Sequence, residues 1–315
     1  MWRMEDGKEM ATMKTECVWC LAVSKDGRWI AAGTNNHEVF VWDANTYEKV
    51  LSHREAYSST VTLGVDFSPD STRLVSASRI ASIWDITTRH RVQTLDHGDV
   101  LAAAKYSPQG DQIATATRDS VRVWDSYNGR SLVEINVAVT LSINTSLLWF
   151  NNHLFVISDS TIKQIEVCTE SAVSEWPVPH SIAHSCIALP KHGTFIAYST
   201  EHTVTFWGTE TQTQLDSIQH SQDILSIALS PDDRLLAIGG HQGKITIQSL
   251  SRTTVSIMSR WIVAHMINSL ASIIFHRIQS LCLVYTPHSR NQTFGSTTLH
   301  SIFGSTINWQ MLKHY

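Results

Sequence analysis

The sequence repeats a short element at a nearly constant spacing. The element is an alternating run that ends in Trp-Asp, and it is most complete at Val121–Asp125. It recurs at Phe40–Asp43 and Ser82–Asp85, and weaker copies follow later in the chain. The key positions are 2, 42, 84, 124, 165, 207 and 247, so the steps are 40, 42, 40, 41, 42 and 40 residues. A fixed period of this size is typical of stacked supersecondary units.

Each period carries the pattern of short strands separated by turns. In residues 94–134 the strands are Val100–Tyr106, Gln112–Ala116 and Val121–Trp124, and Ser107–Gly110 forms the first turn. Ser68-Pro69 places proline at the favoured second position of such a turn. The pattern predicts an outer strand within 1–16 and repeats at 17–52, 53–93, 94–134, 135–176, 177–217 and 218–250.

The bulk composition is that of an ordinary globular protein. Hydrophobic residues make up 43% and charged residues 17%, and the net charge is −4. That charge argues against nucleic-acid binding by bulk electrostatics. The five scattered cysteines are an odd number, which favours reduced thiols over a disulfide framework. The first residues lack the basic start and apolar run of a signal peptide, so we expect an intracellular protein, cytoplasmic or nuclear.

Residues 251–315 break the pattern. They contain no Asp or Glu but five Lys or Arg. The apolar run Trp261–Phe275 is shorter than the roughly 20 residues that span a membrane, so no membrane partner is expected. We expect this atypical tail to be partly strand or helix, with Thr253–Ser259 as an outer strand of the sixth repeat, and otherwise poorly ordered. An alternative origin for it is altered splicing or an erroneous gene model.

Four strands in about 41 residues, closing on Trp-Asp, resemble the WD-repeat β-propeller family. The resemblance covers roughly residues 1–250 and is specific because the element recurs many times. It implies an all-β fold of four-stranded antiparallel blades packed radially, with stability shared between neighbouring blades. Six repeats are recognisable, and a seventh blade would need the N-terminal strand and the C-terminal tail to close it.

In this family a hydrogen-bonded set of His, Ser or Thr, Asp and Trp holds each blade. The best match here is His97, Thr115 or Thr117, Asp119 and Trp124. The set is incomplete elsewhere: Arg79 stands where the second repeat should have Asp, and Ile247 replaces Trp in the sixth, although His220 is present. The residues assigned to the repeat signature are Trp42, Asp43, Trp84, Asp85, His97, Asp119, Trp124, Asp125 and Trp207.

The sequence offers no convergent catalytic or metal-binding constellation. Cys17 and Cys20 resemble half of a redox or zinc motif, but residues three apart on a strand point to opposite faces, so a core role is expected. The 16 histidines are scattered, whereas a zinc site needs three or four ligands that converge. We therefore predict no catalytic residues, no metal and no cofactor, and identify no small-molecule substrate.

The turns before the Trp-Asp strands are candidates for protein binding. Partners of this family often dock where these turns emerge, which implies such a role for Asn36, Ser78, Arg118, Glu201 and His241, each six residues before its key position. Arginine is a frequent interface anchor. The alternative is that these are ordinary solvated turns.

The first functional hypothesis is therefore a non-enzymatic scaffold that binds other proteins through its loops, with no nucleic-acid partner. A second hypothesis is a hydrolase or lactonase of a propeller class, working at the mouth of the channel. A third is a regulatory propeller cut from a larger signalling protein.

Overall fold

The protein is all-β wherever its structure is described. The computed structural model describes residues 8–15, 17–54, 61–139, 147–158, 161–178, 186–191, 193–209, 212–241 and 243–250. Within these ranges 23 strands form six antiparallel sheets, five with four strands and one with three. These sheets are the blades of a β-propeller, as the repeat predicted. No helix that could cross a membrane occurs in these ranges.

The first compact unit runs from Thr15 to Ile187, and its described residues form blades 1 to 4. Strands follow one another across each sheet in chain order. Blade 1 contains β1 (Val18–Val23), β2 (Trp29–Thr34), β3 (Glu38–Asp43) and β4 (Lys49–Arg54); blade 2 contains β5 (Gly64–Phe67), β6 (Arg73–Ala77), β7 (Ala81–Asp85) and β8 (His90–Leu95); blade 3 contains β9 (Ala103–Tyr106), β10 (Gln112–Ala116), β11 (Ser120–Asp125) and β12 (Ser131–Asn136); blade 4 contains β13 (Leu147–Phe150), β14 (His153–Ser158), β15 (Thr161–Glu166) and β16 (Ser171–Pro177).

The second unit has residues 8–14 and 188–250 as its described parts. Blade 5 contains β17 (Ile187–Ala188), which begins on the last residue of the first unit, with β18 (Phe195–Ser199), β19 (Thr203–Gly208) and β20 (Gln214–Gln219); blade 6 contains β21 (Ile224–Leu229), β22 (Leu235–Gly240) and β23 (Ile245–Ser249).

Burial explains why the middle strands are apolar throughout. Every residue of β2 and of β3 after the first is buried, whereas β12 buries only Ile135. A strand covered on both faces reads as a continuous apolar run, while an outer strand alternates with polar residues. In the first unit the inner strands β1, β5, β9 and β13 contact one another in succession.

The apolar cores lie between blades rather than within them. One cluster joins Val41 and Leu51 of blade 1 to Leu74 and Trp84 of blade 2. A second joins blades 2 and 3, and a third joins blades 3 and 4. No blade of the first unit can therefore bury both faces alone, and its stability depends on its neighbours.

A serine organises the turn between the first and second strands. Ser68 Oγ accepts the backbone N–H of Arg73 at 2.9 Å and lies 2.5 Å from Asp70 Oδ1. The same serine bonds recur at Ser24, Ser107 and Ser230. Each hydroxyl is buried and closes its turn. The Ser-Pro pattern predicted a turn at Ser68, and the part played by the serine hydroxyl is a finding of the structure.

The aspartate of Trp-Asp caps the turn between the third and fourth strands. Asp125 Oδ1 accepts the N–H groups of Tyr127 and Asn128 at 2.9 and 3.0 Å. Asp43 and Asp85 cap their turns in the same way. These N–H bonds, led by that of Asn128, hold the pKa of the Asp125 carboxyl below its usual value. The three turns end on residues with positive φ, which are Tyr47, Arg89 and Gly129.

The alignment of the sixth repeat was wrong by one residue. In blade 1 Ile30 pairs with Trp42, and in blade 6 the equivalent Leu236 pairs with Gln248. Gln248, not Ile247, therefore occupies the tryptophan position. Gly243, with φ of 72°, matches His37, with φ of 62°, under this corrected register. The slip arose because Thr246-Ile247-Gln248 offers no residue that fixes which side chain faces inward.

The outer strand predicted within 1–16 is not a strand over residues 8–15, where Glu9 alone forms an isolated β-bridge. The Thr12 hydroxyl donates to the Glu9 carboxylate, a local contact between side chains. Residues 1–7 and 251–315 lie outside the described residues. The seventh blade and the strand or helix of the tail therefore stay predictions.

Candidate protein-interaction turns

Blade 3 contains a chain of hydrogen bonds between buried side chains. Trp124 Nε1 donates to Thr115 Oγ1 over 2.8 Å, and Thr115 Oγ1 lies 2.9 Å from His97 Nδ1. His97 Nε2 lies 2.9 Å from Ser120 Oγ. The Thr115 hydroxyl can donate either to Nδ1 or to the Arg122 carbonyl, which lies 3.4 Å away. Both ring nitrogens therefore have a hydroxyl partner whichever of them carries the proton.

Of the set predicted for blade 3, the structure brings together His97, Thr115 and Trp124. Asp119 instead lies exposed in the turn, and Ser120 takes its place on the ring. The reason is local: β11 begins at Ser120, so that residue points into the sheet while its neighbour stays in the turn. The signal missed in the sequence was a hydroxyl residue at the first position of the strand.

His97 is held in its neutral form. Its side chain is buried, with 7% exposure, and burial lowers its pKa to about 4, with a further contribution from Arg122. Arg122 itself pairs with Glu134 at 2.8 Å, and Ser120 Oγ lies 3.4 Å from the same carboxylate. The polar chain therefore runs from the buried indole to a surface ion pair.

Blade 2 has a shorter version of this network. Trp84 Nε1 donates to Ser76 Oγ at 2.9 Å, and the His53 ring centroid lies 4.5 Å from that of Trp84. Arg79, which stands where an aspartate was expected, is exposed and lies 3.9 Å from Asp99. The sequence interpretation missed Ser76 because serines at several nearby positions were equally plausible partners.

The remaining blades rely less on polar bonds. Trp42 is buried beside Phe40, with ring centroids 5.5 Å apart. Trp207 is half-buried, and its Nε1 has no hydrogen-bond partner among the described residues. In blade 6, His220 Nε2 lies 3.0 Å from Thr246 Oγ1 and its Nδ1 lies 2.9 Å from the Gln222 carbonyl. Position 242, which the sequence paired with His220, lies outside the described residues.

Main-chain bonds anchor the turns between the second and third strands to the next blade. In the first unit, Leu101 N–H donates to the Ser78 carbonyl at 2.8 Å and Val139 N–H to the Arg118 carbonyl at 2.7 Å. In the second unit, Ile224 N–H donates to the Glu201 carbonyl at 2.6 Å. The turns are therefore fixed in position, because each is bonded to the segment that enters the following blade.

Polar side-chain contacts repeat the same connection. Arg79 and Asp99 join blades 2 and 3 at 3.9 Å, and His202 Nε2 lies 3.3 Å from Asp223 Oδ1 between blades 5 and 6. Both pairs are largely exposed, so each contributes little to stability. They nevertheless limit the conformations that the Arg79 and His202 side chains adopt.

The five predicted binding residues differ in exposure. Arg118, Glu201 and His241 are exposed, and Asn36 is half-buried. Ser78 is buried, with 4% exposure, and its hydroxyl lies 3.4 Å from the Ile80 carbonyl, so a partner cannot contact it without a change in the turn. With the corrected register, His241 is equivalent to Asn35 rather than to Asn36.

The remaining chemically suggestive residues are separated or buried. Cys20 is buried with its Sγ 3.4 Å from the Thr62 carbonyl, and burial raises the pKa of its thiol to about 12. Cys17 is half-buried. Within the described residues, no three His, Cys, Asp or Glu side chains are grouped so as to hold a metal ion.

Three comparisons with known proteins give a consistent result. A family model described as WD domain, G-beta repeat matches residues 7–43, 89–125 and 212–247. The β-propeller domain of Cps50 (Swd1) from Myceliophteria thermophila superimposes with a TM-score of 0.65 and covers 76% of this chain and 84% of that one. At 14% identity this similarity concerns the fold alone.

Two curated relatives are similar over about three quarters of this chain and are longer than it. U3 small nucleolar RNA-associated protein 15 homolog of Xenopus laevis is 23% identical over 240 residues, covering 74% of this chain and 46% of its own length. Serine-threonine kinase receptor-associated protein of Gallus gallus is 23% identical over 237 residues, covering 73% of this chain and 66% of its own length.

WD repeat-containing protein 1 of Mus musculus reaches 34% identity over 83 residues, which are 25% of this chain and 14% of that protein. The chain therefore spans less than two thirds of the length of these relatives. Taken with six antiparallel blades and the Trp-Asp caps, the matches show that this chain carries WD repeats at the three matched ranges and is similar to WD-repeat β-propeller proteins.

Proposed function

We propose that this chain is a non-enzymatic scaffold that binds other proteins through its anchored turns. The observation that carries the proposal is the combination of a fixed main chain and a free side chain at Arg118. Its carbonyl is bonded to Val139, while its side chain is exposed and makes no hydrogen bond or ion pair within the described residues. Because the backbone of the turn is already fixed, binding through Arg118 costs little backbone entropy, and the ordering cost is confined to its side chain.

Two further observations concern the class of ligand. The chain carries 28 acidic against 24 basic residues, so it lacks the excess of positive charge that drives binding to phosphate backbones. The names of two relatives describe association, one with a small nucleolar RNA and one with a kinase receptor, rather than catalysis. An intracellular setting, nuclear or cytoplasmic, is part of this proposal.

The test compares two arginines on opposite turns of one blade. Arg118 lies in the turn before β11, and Arg130 lies exposed in the turn after it. The full chain, cross-linked in its own cells with and without ribonuclease, identifies partners, and binary affinity is then measured with the purified partner. Arg118→Glu should weaken that affinity about tenfold or more, as at an interface hot spot, and Arg130→Glu should change it less than about threefold.

His241→Ala offers a second probe in the other unit, and the melting temperature of each variant should match that of the parent. Equal affinity of the parent and Arg118→Glu for every ribonuclease-resistant partner would refute the role of these turns. If ribonuclease treatment removed all partners, the ligand would be RNA rather than a protein.

A further inference from the structure

The turn between β11 and β12 of blade 3 is closed by a main-chain bond that other blades share. Gly129 N–H donates to the Asp125 carbonyl, four residues earlier, at 2.9 Å. The equivalent donors in blades 1 and 2 are Tyr47 and Arg89, each at 2.8 Å. All three donors have positive φ, at 70°, 61° and 62°. The backbone angle alone therefore does not require glycine at this place in the turn, since a tyrosine and an arginine adopt it.

The neighbouring blade supplies the reason for glycine at position 129. A Cβ added to Gly129 would overlap Nε2 of Gln93 and would lie 3.3 Å from Cδ2 of Leu95. Both of these residues belong to β8, the outer strand of blade 2. Any side chain at position 129 would have to displace the Gln93 amide, so the close approach of the two blades favours glycine here.

This glycine follows an asparagine, and the pair is chemically labile. Asn128 is the one asparagine of the sequence that precedes a glycine, and its side chain is exposed. Glycine has no Cβ to shield its own backbone nitrogen. That nitrogen is therefore able to reach the side-chain carbonyl carbon of the preceding asparagine, which is the first step of deamidation.

The closed turn holds the reacting groups apart. The Gly129 N–H is bonded to the Asp125 carbonyl, and Asn128 Oδ1 accepts the N–H of Arg130 at 2.8 Å. The Asn128 N–H is itself held by Asp125 Oδ1 at 3.0 Å. The Gly129 nitrogen has to leave its carbonyl partner before it turns toward Cγ of Asn128, so the turn must open before the two atoms react.

We propose that Asn128 is a deamidation site of this chain, and that it reacts through local opening of the turn between β11 and β12. This inference is independent of the proposed function. In the open turn the Gly129 nitrogen attacks Cγ of Asn128, the Cγ–Nδ2 bond breaks, and Nδ2 leaves as ammonia with the proton of that nitrogen. Water then opens the cyclic imide at either carbonyl carbon, which gives aspartate or isoaspartate. One water is consumed and one ammonia is released, with no change of oxidation state.

The two products differ in their effect on blade 3. Aspartate keeps the main chain unchanged, and its carboxylate accepts the Arg130 N–H as the amide oxygen of Asn128 does. Isoaspartate carries the chain through its side-chain carbon and so adds one atom to the main chain before Gly129. The added atom displaces Gly129 from the Asp125 carbonyl and from Gln93, so the turn does not close again in its original form.

The first experiment compares the folded and unfolded full chain at mildly alkaline pH. Mass spectrometry of the peptide that contains Asn128 measures conversion, which should be about tenfold slower or more in the folded chain than in urea, because the open fraction alone reacts. Asn45, exposed in the equivalent turn of blade 1 but followed by Thr46, is the internal control and should react slowly in both states. Equal rates at Asn128 in the two states would overturn the role of the turn, and no conversion in urea would overturn the site.

The second experiment separates local opening from unfolding of the whole chain. Asp125→Ala removes the carboxylate that accepts the Asn128 N–H, and it should raise the rate at Asn128 in the folded protein about threefold or more. Asp43→Ala, the matched control, removes the equivalent carboxylate from blade 1 and should leave that rate within about twofold. Equal acceleration by both substitutions, or acceleration by neither, would contradict local opening.

Discussion

Blades 3 and 4 are neighbouring sheets with the same register and opposite chemistry. Thr115 pairs with Arg122 in blade 3, and Val156 pairs with Lys163 at the equivalent place in blade 4. The tryptophan position holds Trp124 in the first and Ile165 in the second. Blade 4 replaces the polar chain by apolar packing that includes Trp176, which is 0% exposed and stacks on Phe155 at 6.0 Å. The same backbone geometry therefore accommodates either a hydrogen-bonded network or apolar packing, provided that every buried polar group has a partner or the space is filled by apolar side chains.

The largest loss of stability should follow from disrupting the apolar packing of blade 4. Trp176→Ala removes a fully buried indole from the outer strand of blade 4, and we expect a loss of about 3–5 kcal/mol in the free energy of unfolding. Val173→Ala on the same strand is the control, since Val173 is 53% exposed, and should stay within about 0.5 kcal/mol. Urea unfolding measures both. A loss for Trp176→Ala no larger than for Val173→Ala would mean that blade 4 is not held by this packing.

Removing one member of the hydrogen-bond network of blade 3 should lower the free energy of unfolding by somewhat less. Thr115→Val leaves the Trp124 Nε1–H and His97 Nδ1 buried without their shared partner, and we expect a loss of about 2–3 kcal/mol. Adding Trp124→Phe to Thr115→Val removes one orphaned group, so the double variant should lose less than the sum of the two single variants. Strict additivity in this cycle would contradict a shared hydroxyl.

The smallest effect should appear as a pH dependence of blade 3. Burial lowers the pKa of His97 to about 4, below its ordinary value near 6.5, so the unfolded chain takes up the proton first as the pH falls. Stability should therefore decline between about pH 6.5 and pH 4, by at most about 3 kcal/mol and by less where water relaxes the site. His97→Gln should be less stable at neutral pH and lack this part of the slope. Identical slopes in both proteins would refute the assignment.

The antiparallel blades were predictable because Trp-Asp marks a register. The tryptophan must point into the sheet and the aspartate must cap the next turn, so the pair fixes both the face and the end of the third strand. In the sixth repeat, which lacks the pair, the predicted register was off by one residue, because the three strand residues Thr246-Ile247-Gln248 allowed either face to be chosen as the inner one.

The polar partners were less predictable for a related reason. Asp119 and Ser120 are adjacent, and the sequence does not say at which of them the turn gives way to the strand. Because side chains alternate across a strand, that single boundary decides whether a carboxylate or a hydroxyl meets His97. The exposure of Arg118 and the burial of Ser78 depend on the same fine placement within equivalent turns.

The buried serines that close the first turn of blades 1, 2, 3 and 6 have a consequence for regulation. Ser68, Ser107 and Ser230 are each followed by proline, which in the linear sequence is the mark read by proline-directed kinases. Their hydroxyls are buried and bonded to the backbone N–H groups of Arg73, Gln112 and Leu235. A folded blade withholds them from any kinase cleft, since a phosphate group would bring two negative charges and three oxygens into a closed turn. Phosphorylation detected at one of these serines would therefore indicate that the molecule was modified before it folded or while its blade was open.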